Sequence, residues 1–254
     1  MKNVAFRATF FFSLPATLKA EREDEAKMKN GLTELVFLLD CSGSMAGLEK
    51  DTIGGYNAMI REQREVKGEV LVSTVLFDHE CTVIHDRRPL DQVDLLDEKT
   101  YRVRGSTALL DAIGKAIQHI GNIHKYARSE DVPEKTLFLI TTDGMENSSV
   151  LYDYEKIRTM VERQREQYHW EFIFLGANMD AIREAARIGI RGKGRAVSYE
   201  NDGIGTALNY QFMSSVVKAA RKAESRAAME EVFEKEDLAA PIRAHYEKAR
   251  KNRH

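Results

Sequence analysis

Three separate segments of the sequence offer carboxylate and hydroxyl oxygens, the ligand atoms that hard divalent cations prefer. The first reads Asp-Cys-Ser-Gly-Ser, the second Gly-Ser-Thr and the third Thr-Thr-Asp-Gly. Their candidate ligands are Asp40, Ser42, Ser44, Thr107 and Asp143. If the segments converge, a divalent cation removes the repulsion between the two carboxylates. We therefore predict that these side chains hold one ion, Mg²⁺ or Mn²⁺, and leave a coordination position for water or for an oxygen of a partner.

The first segment also has a purely structural explanation. Ser42 or Ser44 would be a suitable N-cap for a following helix, because a serine hydroxyl accepts a hydrogen bond from the free N–H groups of the first turn. Asp40 would then satisfy amides of the same loop. Considered alone, the segment does not decide between this explanation and an ion site. The carboxylate and the hydroxyl in the two other segments favour the ion.

The sequence around these segments alternates between strand and helix patterns. Short, continuous apolar runs are typical of strands that are buried on both faces of a parallel sheet. The predicted strands are 35–39, 70–77, 137–140, 172–175 and 195–199, with residues 81–85 as a short antiparallel edge strand. Apolar residues at helical spacing predict helices within 53–63, 109–120, 154–161, 182–188 and 208–220.

Strands separated by helices of this length are joined by right-handed crossovers in a parallel sheet. We therefore predict an α/β fold: a doubly wound, mostly parallel sheet with one short antiparallel edge strand and helices on both faces. Ligands of such sheets bind beyond the carboxyl ends of the strands. The segments after residues 39 and 140 lie at this edge, and we expect the two carboxylates to meet there.

The three segments, in this order and after these strands, resemble the von Willebrand factor A family. In that family an Asp-x-Ser-x-Ser motif, a later Gly-Ser-Thr and a Thr-Asp-Gly form the metal-ion-dependent adhesion site. The resemblance implies a Rossmann-like fold over residues 30–222 and assigns the ligand roles to the five side chains named above. The stretch from Gly31 to Met45 is most similar to the stand-alone bacterial and phage members, which are intracellular proteins.

The resemblance implies a binding module rather than an enzyme. The ion would bind an Asp or Glu carboxylate of a partner protein, and no residue of the chain would be catalytic. A second class is a subunit that works with an AAA-type ATPase in a chelatase-like or stress-response system. That ATPase would be a separate protein, because the sequence has no Gly-x-x-x-x-Gly-Lys-Ser/Thr. A third class, a phosphatase-like hydrolase with Asp40 as nucleophile, is disfavoured because Ser42 stands where such enzymes have an acidic residue.

Composition excludes several kinds of partner. The 38 Lys and Arg residues against 40 Asp and Glu give a net charge of −2, so the basic excess typical of nucleic-acid-binding proteins is missing. No apolar run reaches the roughly 18–20 residues that span a bilayer, so we expect no membrane partner. Cys41 and Cys81 are too few for a disulfide framework and indicate reduced thiols in a cytoplasmic protein.

We divide the chain into three parts. Residues 1–29 are predicted to be a loosely ordered N-terminal extension, 30–222 the domain itself, and 223–254 a charged helical tail exposed to solvent. The apolar stretch of the extension is interrupted by polar residues and Pro15, which disfavours a secretory signal. Met28, just before the first strand, is an alternative start of the chain.

A few other residues have ordinary structural explanations. Gly54 and Gly55 in a predicted helix indicate close packing against the sheet, because each glycine costs a helix about 1 kcal/mol relative to alanine. Alternation within the first loop should turn Cys41 away from the ion. His79 and His85 flank a turn and are expected at the surface.

Overall fold

The computed structural model describes residues 29–177 and 180–252, and within these ranges no helix is long and apolar enough to cross a bilayer. The strands are β1 Lys29–Asp40, β2 Glu69–Phe77, β3 Cys81–Pro89, β4 Pro133–Thr142, β5 Glu171–Ala177 and β6 Ala196–Tyr199. The helices are α1 Glu49–Arg64, α2 Leu109–Tyr126, α3 Tyr154–Gln167, α4 Ala181–Arg187, α5 Gly203–Lys222, α6 Arg226–Lys235 and α7 Ala240–Asn252. The predicted N-terminal extension, with its candidate signal, lies outside the described residues except for Lys29.

The six strands form one sheet in the order β3-β2-β1-β4-β5-β6. β3 is antiparallel to β2, and all other neighbouring strands are parallel. After β1, the chain adds β2 and β3 along one edge of that strand, and it then adds β4, β5 and β6 along the other edge. The winding direction therefore changes between β1 and β4, which are neighbours in the sheet. Open parallel sheets bind ligands in the crevice at this point. The predicted α/β, doubly wound and mostly parallel fold is confirmed.

Strand β1 is buried on both faces, as its continuous apolar run predicts. Leu35, Phe37 and Leu39 pack in one hydrophobic cluster with α1 and α5, whereas Val36 and Leu38 pack in a second cluster with α2, α3 and α4. Successive side chains of a strand point to opposite faces, so one strand joins both clusters. This double packing fixes the loop that follows β1.

The edge strand β3 runs for nine residues, beyond the short stretch that was predicted to end at His85. Its pairing with β2 continues to Pro89, which lies opposite Leu71, because main-chain hydrogen bonds do not require an apolar side-chain pattern. The expectation that His85 lies at the surface is wrong: it is buried, because the strand continues past it and places it within the sheet. His79 in the preceding turn is about half exposed.

Gly55 marks close packing between two helices rather than between a helix and the sheet. A Cβ atom built on Gly55 would lie 2.2 Å from the ring of Tyr210 on α5. Helices α1 and α5 therefore touch at this glycine, and any side chain would displace the tyrosine. A Cβ on Gly54 would meet none of the described atoms within 4 Å, so only the second glycine is required by packing.

The charged tail after α5 folds back onto the domain as α6 and α7. Met229 and Phe233 of α6 and Ile242 of α7 are buried. Arg195, just before β6, donates a hydrogen bond to Glu230 at 2.7 Å and lies over the ring of Phe233. The expectation of a solvent-exposed tail is wrong for these residues, since its sparse apolar side chains meet the core only after both helices have folded back. The domain limits remain a prediction.

Candidate metal centre

The carboxylate of Asp40, at the carboxyl end of β1, is buried and held by two donors. Its Oδ1 accepts a hydrogen bond from the N–H of Ser42 at 2.7 Å, and its Oδ2 accepts one from the hydroxyl of Thr142 at 2.6 Å. The hydroxyl of Tyr101 donates to the main-chain carbonyl of Asp40 at 2.5 Å. These contacts fix the carboxylate at the crevice between β1 and β4.

Ser42 and Ser44 lie at a 3₁₀ turn, Gly43–Met45, with their hydroxyl oxygens 3.1 Å apart. The Ser44 hydroxyl also donates to Oδ1 of Asp143 at 2.5 Å. Neither serine caps a helix: the Ser42 side chain makes no capping bond to the turn, and Leu48 occupies the N-cap of α1. The helix-capping explanation of this segment is therefore wrong.

Thr107 reaches the same crevice from the loop before α2. A Cβ atom built on Gly144 would lie 2.8 Å from Oγ1 of Thr107 and 3.2 Å from Oγ of Ser44, so both hydroxyls lie against this glycine. The N–H of Gly43 donates to the carbonyl of Gly105 at 3.0 Å, which joins the first two loops. The fold thus gathers all five predicted side chains, while their binding of an ion remains a proposal.

Side chains outside the predicted set hold the loop after β4 against the start of α2. Asp111, which is buried, accepts hydrogen bonds from the N–H groups of residues 150–152 at 2.9 to 3.2 Å. Thr107 donates its N–H to Oδ1 of Asn147 at 2.9 Å, and its carbonyl accepts the N–H of Asn147 at 3.1 Å. Glu146 accepts the N–H of Leu110 at 2.9 Å. This network positions Thr107 relative to the loop that carries Asp143.

Among the residues that the structure describes, the two carboxylates of the crevice lack a positively charged partner. No Lys, Arg or His side chain within the described ranges forms an ion pair with Asp40 or Asp143. Burial raises the pKa of Asp40 to about 6, although hydrogen bonds from Thr142 and Ser42 oppose the shift, and the charge of Asp143 adds to it. Burial also raises the pKa of Asp143. Both groups therefore lie in surroundings that favour a bound positive charge.

The donor set of the crevice consists of oxygen atoms. A hydroxyl that donates its proton to a carboxylate keeps the lone pairs of its own oxygen available to a cation, and Ser44 is placed in this way. No cluster of three or more His, Cys, Asp or Glu side chains suited to a metal occurs in the described parts of the chain. Any ion here is therefore held by two carboxylates with hydroxyls, a combination that fits a hard divalent cation.

Cys41 lies between the ligand residues in the sequence but not in space. It is buried in the hydrophobic cluster that contains Tyr56 and Tyr101. Burial raises the pKa of its thiol to about 12, so the thiol stays protonated near neutral pH. The prediction that Cys41 turns away from the crevice agrees with this placement.

Sequence reasoning missed two side chains that contact the carboxylates. Thr142 donates a hydrogen bond to Asp40 and lies in the Thr-Thr-Asp-Gly segment, directly before Asp143. Only the hydroxyl in its side chain could have indicated this contact. Asn201, which follows β6, donates through Nδ2 to Oδ2 of Asp143 at 2.9 Å. It lies 58 residues from its partner, in a part of the sequence with no motif, so no local signal indicates it.

No protein-family model and no curated protein matches the sequence. Solved structures resemble the fold. A D319A mutant of the PilB minor pilin from Streptococcus sanguinis has 12% identity and a TM-score of 0.53, over 74% of this chain and 62% of that one. Proximal thread matrix protein 1 from the mussel byssus has 16% identity and a TM-score of 0.51, over 75% and 46%.

A third solved structure is described as von Willebrand factor type A from Catenulispora acidiphila, with 14% identity and a TM-score of 0.49 over 76% of this chain and 43% of that one. This chain spans less than two thirds of the length of each of the three proteins. At such low identities the likeness shows the fold alone. The role of each residue at the crevice depends on the geometry described above.

Proposed function

We propose that this chain, a doubly wound α/β domain whose three loop segments resemble those of the von Willebrand factor A family, is a protein-binding module whose crevice holds a divalent cation. One observation carries the proposal. Side chains from three loops bring two buried carboxylates and three hydroxyls to the point where the sheet changes its winding direction, and no cationic side chain of the described residues neutralises the carboxylates there.

Each side chain has a distinct part in this proposal. Asp40 and the two serines of the first loop hold Mg²⁺ or Mn²⁺, and Thr107 and Asp143 complete the set from the other loops. When bound, the ion supplies a Lewis-acidic position that accepts an Asp or Glu carboxylate of a partner protein. The protein's own contribution is to keep its ligands in place: Thr142 fixes Asp40, and the network around Asp111 fixes Thr107.

The surroundings of the crevice favour binding over turnover. Within the described residues, the side chains that donate hydrogen bonds to the carboxylates of Asp40 and Asp143 come from serine, threonine and asparagine. A general base poised near neutral pH is usually a histidine or a carboxylate free to accept a proton, whereas both carboxylates here are engaged by donors. Ser42 stands where a phosphatase-like hydrolase requires its acid. We therefore propose that the chain is not an enzyme.

Exposed apolar side chains near the crevice favour a protein as the partner. Met145, Val150 and Leu151, on the loop after β4, and Ile204, at the start of α5, are each more than half exposed. Contiguous exposed apolar patches often mark surfaces that bind proteins. We propose that the partner presents a carboxylate flanked by apolar residues. A separate AAA-type ATPase and a cytoplasmic location, suggested by the free thiols of Cys41 and Cys81, remain predictions.

The test measures which proteins of a cell extract are retained in Mg²⁺ by the immobilised wild-type protein and by the immobilised Asp40→Asn variant. Asp91→Asn is the control, because Asp91 lies outside the crevice in a separate turn after β3. A true partner is retained by the wild type and by the control, is released by EDTA, and is absent from the Asp40 variant. Partners that bind all three proteins equally, with and without EDTA, would show that binding does not depend on the ion.

A further inference from the structure

Asn201 binds the candidate ligand Asp143 from the opposite side to Ser44. It follows β6 by two residues and precedes Asp202, the N-cap of α5. Its Nδ2 donates to Oδ2 of Asp143 at 2.9 Å, while Ser44 donates to Oδ1 at 2.5 Å. Each oxygen of this carboxylate is thus held by a donor from a different loop.

The second polar atom of the Asn201 side chain is unsatisfied. Its Oδ1 is buried and has no hydrogen-bond partner within 29–177 and 180–252. The orientation of the amide follows from its neighbour, because an ionised carboxylate only accepts hydrogen bonds and the nitrogen must therefore face Asp143. Buried polar groups usually have a hydrogen-bond partner, which can be an ordered water molecule as well as a protein group.

The segment that carries Asn201 is anchored on both sides. The Asp202 carboxylate accepts the N–H of Gly205 at 2.6 Å and binds the His245 ring of α7 at 3.0 Å. A Cβ on Gly203 would lie 3.1 Å from the carboxylate of Asp51 on α1, so the segment also lies against that helix. Because the segment is held in place, the Asn201 side chain is positioned at the crevice before any ion binds. A residue that supports a binding site requires such positioning.

We propose that Asn201 supports the cation site as a positioning residue. Its Nδ2 holds Asp143 in place, and its Oδ1 accepts a hydrogen bond from a water molecule on the ion. The inference rests on the proposed function, since it assumes that the crevice holds a divalent cation. Partners that hold metal ligands in this way typically change metal affinity by about 10- to 100-fold when they are removed.

The experiment measures Mn²⁺ binding by isothermal titration calorimetry, together with melting temperatures in EDTA and in saturating Mn²⁺. The variants are Asn201→Ala and the isosteric Asn201→Asp. The matched control is Asn209→Ala, since Asn209 lies on α5, is buried, and has an Oδ1 that likewise lacks a partner among the described residues. All measurements use the full chain.

We expect Asn201→Ala to raise the Kd for Mn²⁺ about tenfold or more, whereas Asn209→Ala changes the melting temperature but not the Kd. Asn201→Asp keeps an acceptor but places a like charge beside Asp143. It should therefore melt lower than the wild type in EDTA and gain more on Mn²⁺ addition than the wild type does. The larger gain would show that position 201 lies close enough to the ion for the ion to offset the added charge, and a position remote from the ion would not produce it.

Two results overturn the inference, and they are distinguishable. If the wild type binds Mn²⁺ and Asn201→Ala binds it with a Kd within twofold of the wild type, Asn201 has no part in the site while the proposed function stands. If the wild type binds no Mn²⁺, the proposed function fails and the inference falls with it. Should the alanine variant fail to fold, the Asn201→Asp comparison decides alone, and an Mn²⁺ gain no larger than that of the wild type refutes the proposal.

Discussion

Replacement of Asp40 by asparagine should stabilise the metal-free protein at neutral pH and at the same time abolish its response to Mg²⁺. The substitution fits the local hydrogen bonds. Asparagine Oδ1 can accept the N–H of Ser42, as the carboxylate does. The Thr142 hydroxyl already lies 3.0 Å from the carbonyl of Gly144 and can donate there while accepting from the new amide nitrogen.

The magnitude follows from the pKa of Asp40, which burial raises from 3.8 to about 6. The folded state therefore binds this proton more tightly than the unfolded state, and stability falls as the pH rises from about 4 to about 6. At about 1.4 kcal/mol per pH unit, the ionised group destabilises the metal-free protein by about 3 kcal/mol above pH 6. Burial of the amide offsets roughly 1 kcal/mol of the gain, which leaves about 2 kcal/mol.

The assay is thermal unfolding in EDTA and in Mg²⁺ at a series of pH values. In EDTA at pH 7.5, Asp40→Asn should melt about 4–8 °C above the wild type for a chain of this size. The difference should shrink toward pH 4, where Asp40 is protonated in the folded state and about half protonated in the unfolded state. In saturating Mg²⁺ the melting temperature of the wild type should rise, whereas that of Asp40→Asn should not. An Asp40→Asn protein that is less stable than the wild type in EDTA at pH 7.5, or that still responds to Mg²⁺, would refute this reasoning.

Four further predictions concern the crevice and the tail. Mg²⁺ or Mn²⁺ at about ten times its dissociation constant should stabilise the wild type by about 1.4 kcal/mol and raise its Tm by roughly 3–6 °C in calorimetry, an effect that Ser44→Ala weakens. Gly144→Ala should raise the Kd for Mg²⁺ about tenfold, measured by titration calorimetry, because the new methyl group displaces the Thr107 hydroxyl. Thr107→Ala should reduce partner retention more than it reduces the Mg²⁺-dependent Tm rise, because we propose that Thr107 contacts the ion mainly when a partner is bound; equal losses would contradict that role. Truncation after Lys222 should lower the Tm, since it removes the buried side chains of Met229, Phe233 and Ile242, and an unchanged Tm would show that α6 and α7 contribute no stability.

The class of fold and the position of the crevice could be predicted because they depend on local pattern. A continuous apolar run such as 35–39 indicates a strand buried on both faces, and helices between such runs require parallel strands. The carboxyl ends of parallel strands lie at one edge, which places Asp40 and Asp143 at the same edge of the sheet without knowledge of any contact. The serine and threonine hydroxyls followed from their place in the same loops.

Other features depended on contacts between distant parts of the chain. The full length of β3 is held by main-chain hydrogen bonds to β2. These bonds do not require a particular side-chain pattern, so the sequence does not indicate where β3 ends. Position 55 has to be glycine because the ring of Tyr210, 155 residues later on another helix, packs against it. The tail looks solvent-exposed because its apolar residues are sparse, and they form a buried seam only when α6 and α7 lie on the domain.

The sequence of this protein determines which oxygen atoms are available and at which edge of the sheet they lie, because parallel strand direction and side-chain alternation follow from short stretches of residues. The tertiary structure alone decides how those oxygens are held. Asn201 reaches Asp143, and Asn147 reaches Thr107, through loops that are adjacent only after the sheet has assembled. Hydrogen bonds depend on distance and direction in space, and separation along the chain carries no information about either.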